Sequence, residues 1–177
     1  RPTHGSSSMR KACMEPISFR PDGTIAEVEM TTQGVGGPMS PLLRMEASRA
    51  CLMSGNLWTT VRRPPHDTPV EYLTGIRNND CAYWKYYDFN LADVNHFICK
   101  TWDKNTEARI EIRIDSPDGP LLGVCPVAAT QGNLAYAIHE TDIKPVHGKH
   151  ALVLVFKGEE GKDLMNLEWF TFTRRKQ

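Results

Sequence analysis

From Arg109 to Ile114 charged and branched apolar residues take turns, with Arg109, Glu111 and Arg113 on one side and Ile110, Ile112 and Ile114 on the other. A period of two belongs to a β-strand with one wet face and one buried face. Similar short apolar runs predict strands over residues 11–19, 25–30, 43–48, 70–76, 96–102, 121–127, 151–156 and 167–172. Asp22-Gly23, Asp118-Gly119 and His147-Gly148 supply the positive φ of tight turns between them, and Pro64, Pro65 and Pro69 forbid continuous ladder pairing in their loop. No amphipathic stretch of about 10 to 15 residues offers itself as a crossover helix, so a parallel sheet is excluded. The expected fold is all-β, a β-sandwich of jelly-roll type.

Residues 33–41 (QGVGGPMSP) break this rhythm, being rich in Gly and Pro without hydrophobic periodicity, as in a linker. The chain therefore divides into residues 1–33, a linker over 34–41, and a sandwich over 42–177. The two N-terminal strands, joined across Arg20 to Thr24, form an N-terminal β-hairpin, which is marginal in water unless it packs on something.

Composition narrows the ligand. The 177 residues carry 21 basic and 21 acidic side chains without a run of five like charges, which argues against nucleic acid or an anionic membrane and for a neutral partner. No stretch approaches the roughly 20 apolar residues needed to span a bilayer. The first residues lack both an initiator Met and a leader, as expected of a piece of a longer protein. Cys13, Cys51, Cys81, Cys99 and Cys125 are odd in number and lack CxxC spacing, so buried thiols are favoured over a disulfide framework or a zinc cage. His66, His96, His139, His147 and His150 show no ligand spacing and default to surface or turn positions.

Particular motifs go further. Arg44-Met45-Glu46-Ala47-Ser48, the run from Gly148 to Gly158 (GKHALVLVFKG) and Asn166-Leu167-Glu168-Trp169-Phe170-Thr171-Phe172 together resemble the family 6 carbohydrate-binding modules, as does Asn78-Asn79-Asp80 leading into Trp84-Lys85-Tyr86-Tyr87-Asp88-Phe89. The resemblance spans residues 42–172. The segment before the linker resembles the last strands of the five-bladed propeller of family 43 glycoside hydrolases, through Arg10 to Ile17, Phe19, Asp22 to Ile25 and Val28 to Thr31. It implies a β-xylosidase or arabinofuranosidase type of parent enzyme and an extracellular or periplasmic place of work. Inverting hydrolysis needs an acid and a base roughly 6.5 to 9.5 Å apart in a deep pocket, which a hairpin cannot build. Glu15, Asp22, Glu27 and Glu29 are accordingly read as solvated charges, and the chain itself as non-catalytic.

The resemblance implies a sugar cleft in the loops at one end of the sandwich, made by a Tyr, a Trp and an Asn. The Asn falls on Asn166, but the Tyr falls on Gly75 and the Trp near Asn133, so both stacking platforms are missing. Tyr72, Trp58 and Tyr136 are the candidate substitutes, with core or rim packing as the alternative for Trp58 and Tyr136. Trp84, Trp102 and Trp169 read as core. A second cleft on a sheet face would draw on Tyr83, Tyr87, Trp102 and Glu111. The family's structural calcium would fall on Glu46, Ser48, Asp67 and Glu168, two of which depart from the family's ligands; pairing of Glu46 and Glu168 with Arg44 or Arg49 is the alternative. The implied partners are a xylan- or arabinoxylan-type polysaccharide or oligosaccharide and a catalytic propeller in cis. The competing reading is a structural module that has lost sugar binding.

Overall fold

The computed structural model describes residues 12–63, 68–102, 106–129 and 136–175. Its strands are β1 (Met45–Glu46), β2 (Leu52–Met53), β3 (Trp58–Arg62), β4 (Val70–Thr74), β5 (Cys81–Asp88), β6 (His96–Trp102), β7 (Ala108–Ile114), β8 (Leu121–Val127), β9 (Tyr136–Asp142), β10 (Lys149–Gly158) and β11 (Asn166–Thr173). They form two antiparallel sheets. One runs β3, β4, β11, β6, β9, with β1 also paired to β11; the other runs β2, β5, β10, β7, β8. Only β3–β4 and β7–β8 are hairpins within a sheet, and every other step along the chain crosses between sheets. This is the expected jelly-roll sandwich.

The interior follows from the alternation. Ile110, Ile112 and Ile114 of β7 point inward, while β11 contributes Leu167, Phe170 and Phe172 from the opposite sheet. Trp84 meets Phe170 edge-on at 4.8 Å between centroids, and Phe97 stacks on Phe170 at 5.8 Å. Of the three tryptophans expected in the core, only Trp84 lies there; Trp102 is buried on the outer face of its sheet and Trp169 is half-buried under Arg44. Cys81, Cys99 and Cys125 are buried free thiols, as expected, whereas Cys51 is half-buried and Cys13 exposed. The Cys99 thiol is pushed well up by its hydrogen bond with Cys125 and by burial. His96 departs from the surface position expected of it. It is buried, with ring nitrogens 2.8 Å from Asp142 and 3.3 Å from Glu140.

The N-terminal hairpin is reduced to its turn. Gly23 N–H donates to Arg20 O at 2.9 Å and Arg20 N–H to Thr24 O at 2.8 Å, but among the described residues the flanking segments form a single β-bridge, between Phe19 and Ile25. Ile17, Phe19 and Ile25 stay more than half exposed, so no apolar layer supports a ladder. The Gly- and Pro-rich stretch, in contrast, is ordered against β5. Thr32 and Gln33 N–H donate to Lys85 O, Met39 N–H donates to Tyr86 O, and Asp88 N–H returns a bond to Met39 O. Glu29 anchors this strap through Lys85 Nζ and the Tyr86 hydroxyl, both at 2.6 Å. These two bonds hold the Glu29 carboxyl below its usual range, and the Glu29 contact pushes the Tyr86 phenol up to about 12.

Candidate functional site

Strand register sets one row of outward side chains across the end of the first sheet. Trp58 lies opposite Thr74, Leu73 opposite Leu167, Asn166 opposite Trp102, and Trp102 opposite Tyr136. Because strand side chains alternate, Trp58, Thr74, Asn166, Trp102 and Tyr136 share the outer face while Thr59, Leu73, Leu167 and Thr101 point inward. Thr74 Oγ1 donates to Asn166 Oδ1 at 2.5 Å, fixing the carboxamide. Tyr72, one step along β4, meets Trp102 edge-on at 4.6 Å. Four of the five residues expected to contact sugar, Asn166, Tyr72, Trp58 and Tyr136, thus face the same side of one sheet, with Trp58 and Tyr136 on its opposite edge strands. Asn133 lies outside the described residues.

Gly75 explains itself in this setting. Its φ is +68°, and a Cβ there would stand 2.6 Å from Asn56 O and 2.9 Å from both Cδ1 and Nε1 of Trp58. The Trp58 indole occupies the space over Gly75 where the resemblance expects a tyrosine, so an aromatic ring is present there but arrives from the adjacent strand. Trp102 is no bare platform. Arg62 lies 5.3 Å from its ring and 5.0 Å from that of Tyr136, and Trp102 keeps only 5% of its surface exposed. Tyr136, 39% exposed, is held from below by Lys100 Nζ at 4.0 Å from its ring centroid.

The second cleft does not assemble. Tyr87 is buried in the core, Tyr83 and Glu111 belong to the second sheet, and Trp102 belongs to the first. No single face carries all four.

Glu46, Ser48 and Glu168 do converge, around a cavity of about 530 Å³ that Arg44 and Glu71 also line. Pairing of β1 with β11 sets Glu46 opposite Trp169, one residue from Glu168. Asp67 lies outside the described residues. The donor chemistry is not that of a calcium cage, which wants six to eight oxygens at about 2.3 to 2.6 Å. Lys100 Nζ stands 3.1 Å and 2.9 Å from the two oxygens of Glu168, and Arg44 reaches Glu46 at 3.0 Å and Glu168 at 3.8 Å. Both carboxylates already face cations, and Ser48 adds a neutral hydroxyl. Among the described residues no three His, Cys, Asp or Glu side chains gather as a metal site. Asp67 aside, the described residues do not gather the oxygens that the ion takes.

Lys100, Arg62 and Thr74 were not foreseen. Lys100 had a signal, standing on the polar side of the run from His96 to Trp102, but its partner depended on a bulge in the β6–β11 pairing between Leu167 and Trp169.

Comparison with known proteins agrees with this geometry. The family model for carbohydrate binding module (family 6) matches residues 59–174. An arabinoxylan arabinofuranohydrolase of Paenibacillus polymyxa is 32% identical over 168 residues, 93% of this chain and 26% of that protein. A family 6 carbohydrate-binding module from Clostridium cellulolyticum, solved in complex with xylose, superposes with a TM-score of 0.66 at 34% identity, over 77% of this chain and 100% of that one. A glycoside hydrolase family 43 arabinoxylan arabinofuranohydrolase from Bacillus subtilis, in complex with cellotetraose, gives a TM-score of 0.72 at 28% identity, over 91% of this chain and 33% of that one. The chain spans about a quarter to a third of the length of these two hydrolases. A two-sheet sandwich whose end row sets aromatic rings beside a fixed asparagine, matched by the family model over well over half its length, belongs to the family 6 carbohydrate-binding modules.

Proposed function

We propose that this module binds xylan- or arabinoxylan-type polysaccharide through Trp58, Asn166 and Tyr136, with Tyr72 as support. The observation that carries the reading is the Trp58 indole lying over Gly75 next to the Thr74–Asn166 pair. An indole face stacks on the apolar face of a pyranose, and the Asn166 amide would donate to a ring hydroxyl, as neutral-sugar recognition requires. The balanced charge of the chain supports a neutral ligand, and the relatives' names and the xylose complex point to the same class of glycan.

Titration calorimetry with xylo- and arabinoxylo-oligosaccharides tests this. Wild type binds, and Trp58→Ala and Asn166→Ala each weaken binding roughly tenfold, since stacking on one ring is worth about 1 to 3 kcal/mol. Absence of heat with every such glycan in the wild type would establish the competing reading, a structural module without sugar binding.

Hydrolysis belongs to the parent enzyme, for which a family 43 hydrolase of β-xylosidase or arabinofuranosidase type is proposed. Three of the N-terminal carboxylates are engaged in local structure: Glu15 accepts from Thr31, Asp22 from Thr24, and Glu29 from Lys85 and Tyr86. Residues 1–33 are proposed as the end of that catalytic domain, to which the exposed Met14, Ile17 and Phe19 would return. The parent would act outside the cytoplasm, extracellular or periplasmic, and the module would raise its concentration near the polysaccharide.

A further inference from the structure

We infer that Lys100, assisted by Arg44, takes the place a calcium ion holds in modules of this kind, so that this sandwich is closed by its own side-chain cations and is indifferent to divalent metal. The inference is independent of which glycan is bound.

Glu168 is the pivot. Its side chain is 4% exposed, and a carboxylate that deep must be met by a positive partner or take up a proton. The β6–β11 register provides the partner. The bulge between Leu167 and Trp169 sets Lys100 opposite Trp169 and turns Glu168 toward it, so that Nζ lies 2.9 Å from one carboxylate oxygen and 3.1 Å from the other. Lys100 is 26% exposed, so its stem is packed while its head closes the site. Arg44 fixes the far side, with its guanidinium 4.7 Å from the centroid of the Trp169 ring, 3.0 Å from Glu46 and 3.8 Å from Glu168. With Glu71 and Arg49, which line the same cavity, three carboxylates meet three cations among the described residues.

A divalent ion would add two charges to this balanced set. Lys100 hydrogen-bonds one oxygen of Glu168, while the other, 2.9 Å from Nζ, is buried without a hydrogen-bond partner among the described residues, so a divalent ion reaching it would stand against the ammonium. Ser48 fits the same account. It is buried on the shared cavity and brings no charge, so the carboxylates and cations around it stay matched among the described residues. Lys100 has a further contact that a metal could not make, its head lying 4.0 Å from the Tyr136 ring centroid. One ammonium thereby joins the closed ion cluster to an aromatic ring of the outer row.

The test is thermal unfolding of the full chain in chelator and in millimolar calcium. Wild type is expected to melt at the same temperature in both. Lys100→Met, which keeps the packed stem and removes the charge, should lower the melting temperature by roughly 10 °C and make it rise when calcium is added. Lys100→Met with Glu168→Gln should recover most of the loss, because no buried charge is then left unpaired. A wild-type melt that falls in chelator or rises with calcium overturns the inference, whether or not the variants fold. So does a Lys100→Met melt equal to that of the wild type.

Discussion

Two places just past strands of the first sheet, Gly75 after β4 and Ser48 after β1, lack a residue that the family pattern calls for, and they differ in what stands there instead. At Gly75 the missing ring is supplied by another ring, Trp58, lying in the space that the absent side chain leaves. At Ser48 the missing acid is not replaced; Lys100 and Arg44 face the carboxylate that remains at Glu168. The first substitution conserves chemistry and moves its address. The second keeps the address and changes the chemistry. A row proposed to face a sugar needs a particular kind of atom, because the sugar does not adapt, whereas an ion cluster needs its charges matched.

The largest expected effect breaks the interior half of this contrast unevenly. Removing the cation with Lys100→Met strands a buried carboxylate and should cost about 3 to 5 kcal/mol. Glu168→Gln leaves a lysine that can reach solvent, so it should cost only about 1 kcal/mol. Equal losses in denaturant titrations would show that Glu168 is not the buried member of the pair. Next comes Gly75→Tyr, which restores the family's residue. A Cβ there has no room beside Asn56 O and Trp58, and the residue must hold a positive φ, so stability should fall by about 2 to 3 kcal/mol without a gain in sugar affinity. Adding Trp58→Ala should recover part of the stability and part of the binding, a non-additivity read from a double-mutant cycle.

The smallest effect concerns the strap. Glu29 is held below its usual range, so its contribution is present above about pH 4.5 and fades as pH falls through its folded value. Tyr86 is raised, so its share is intact below pH 10 and is lost as pH climbs toward about 12. Amide exchange at Thr32, Gln33 and Met39 should quicken at both extremes while the β10 amides stay protected. Equal protection of the strap across that range would remove Glu29 as its anchor.

The elements whose inner side faces the core were legible. The strands over His96–Trp102 and Leu121–Val127 fall where alternation puts them, and the Ile110, Ile112, Ile114 face is the interior. β9 was not legible, because its inward side carries Ala137, His139 and Thr141, which announce no apolar face, and it lies at a sheet edge. β3 was hidden by Thr59, a polar residue 1% exposed. At the site, Asn166 and its candidate aromatics could be named from motifs, but what fills the space over Gly75 depends on pairing between β3 and β4. Lys100 could not be matched to Glu168 from spacing, since a bulge decides that contact.

The strap along β5 has a mechanical consequence. A free tether of nine residues rich in glycine would let its far end wander, but backbone bonds to β5 at Thr32, Gln33 and Met39 pin this one at both ends. Whatever precedes Glu29 therefore starts from a set point beside β5, like a rope made fast to a cleat.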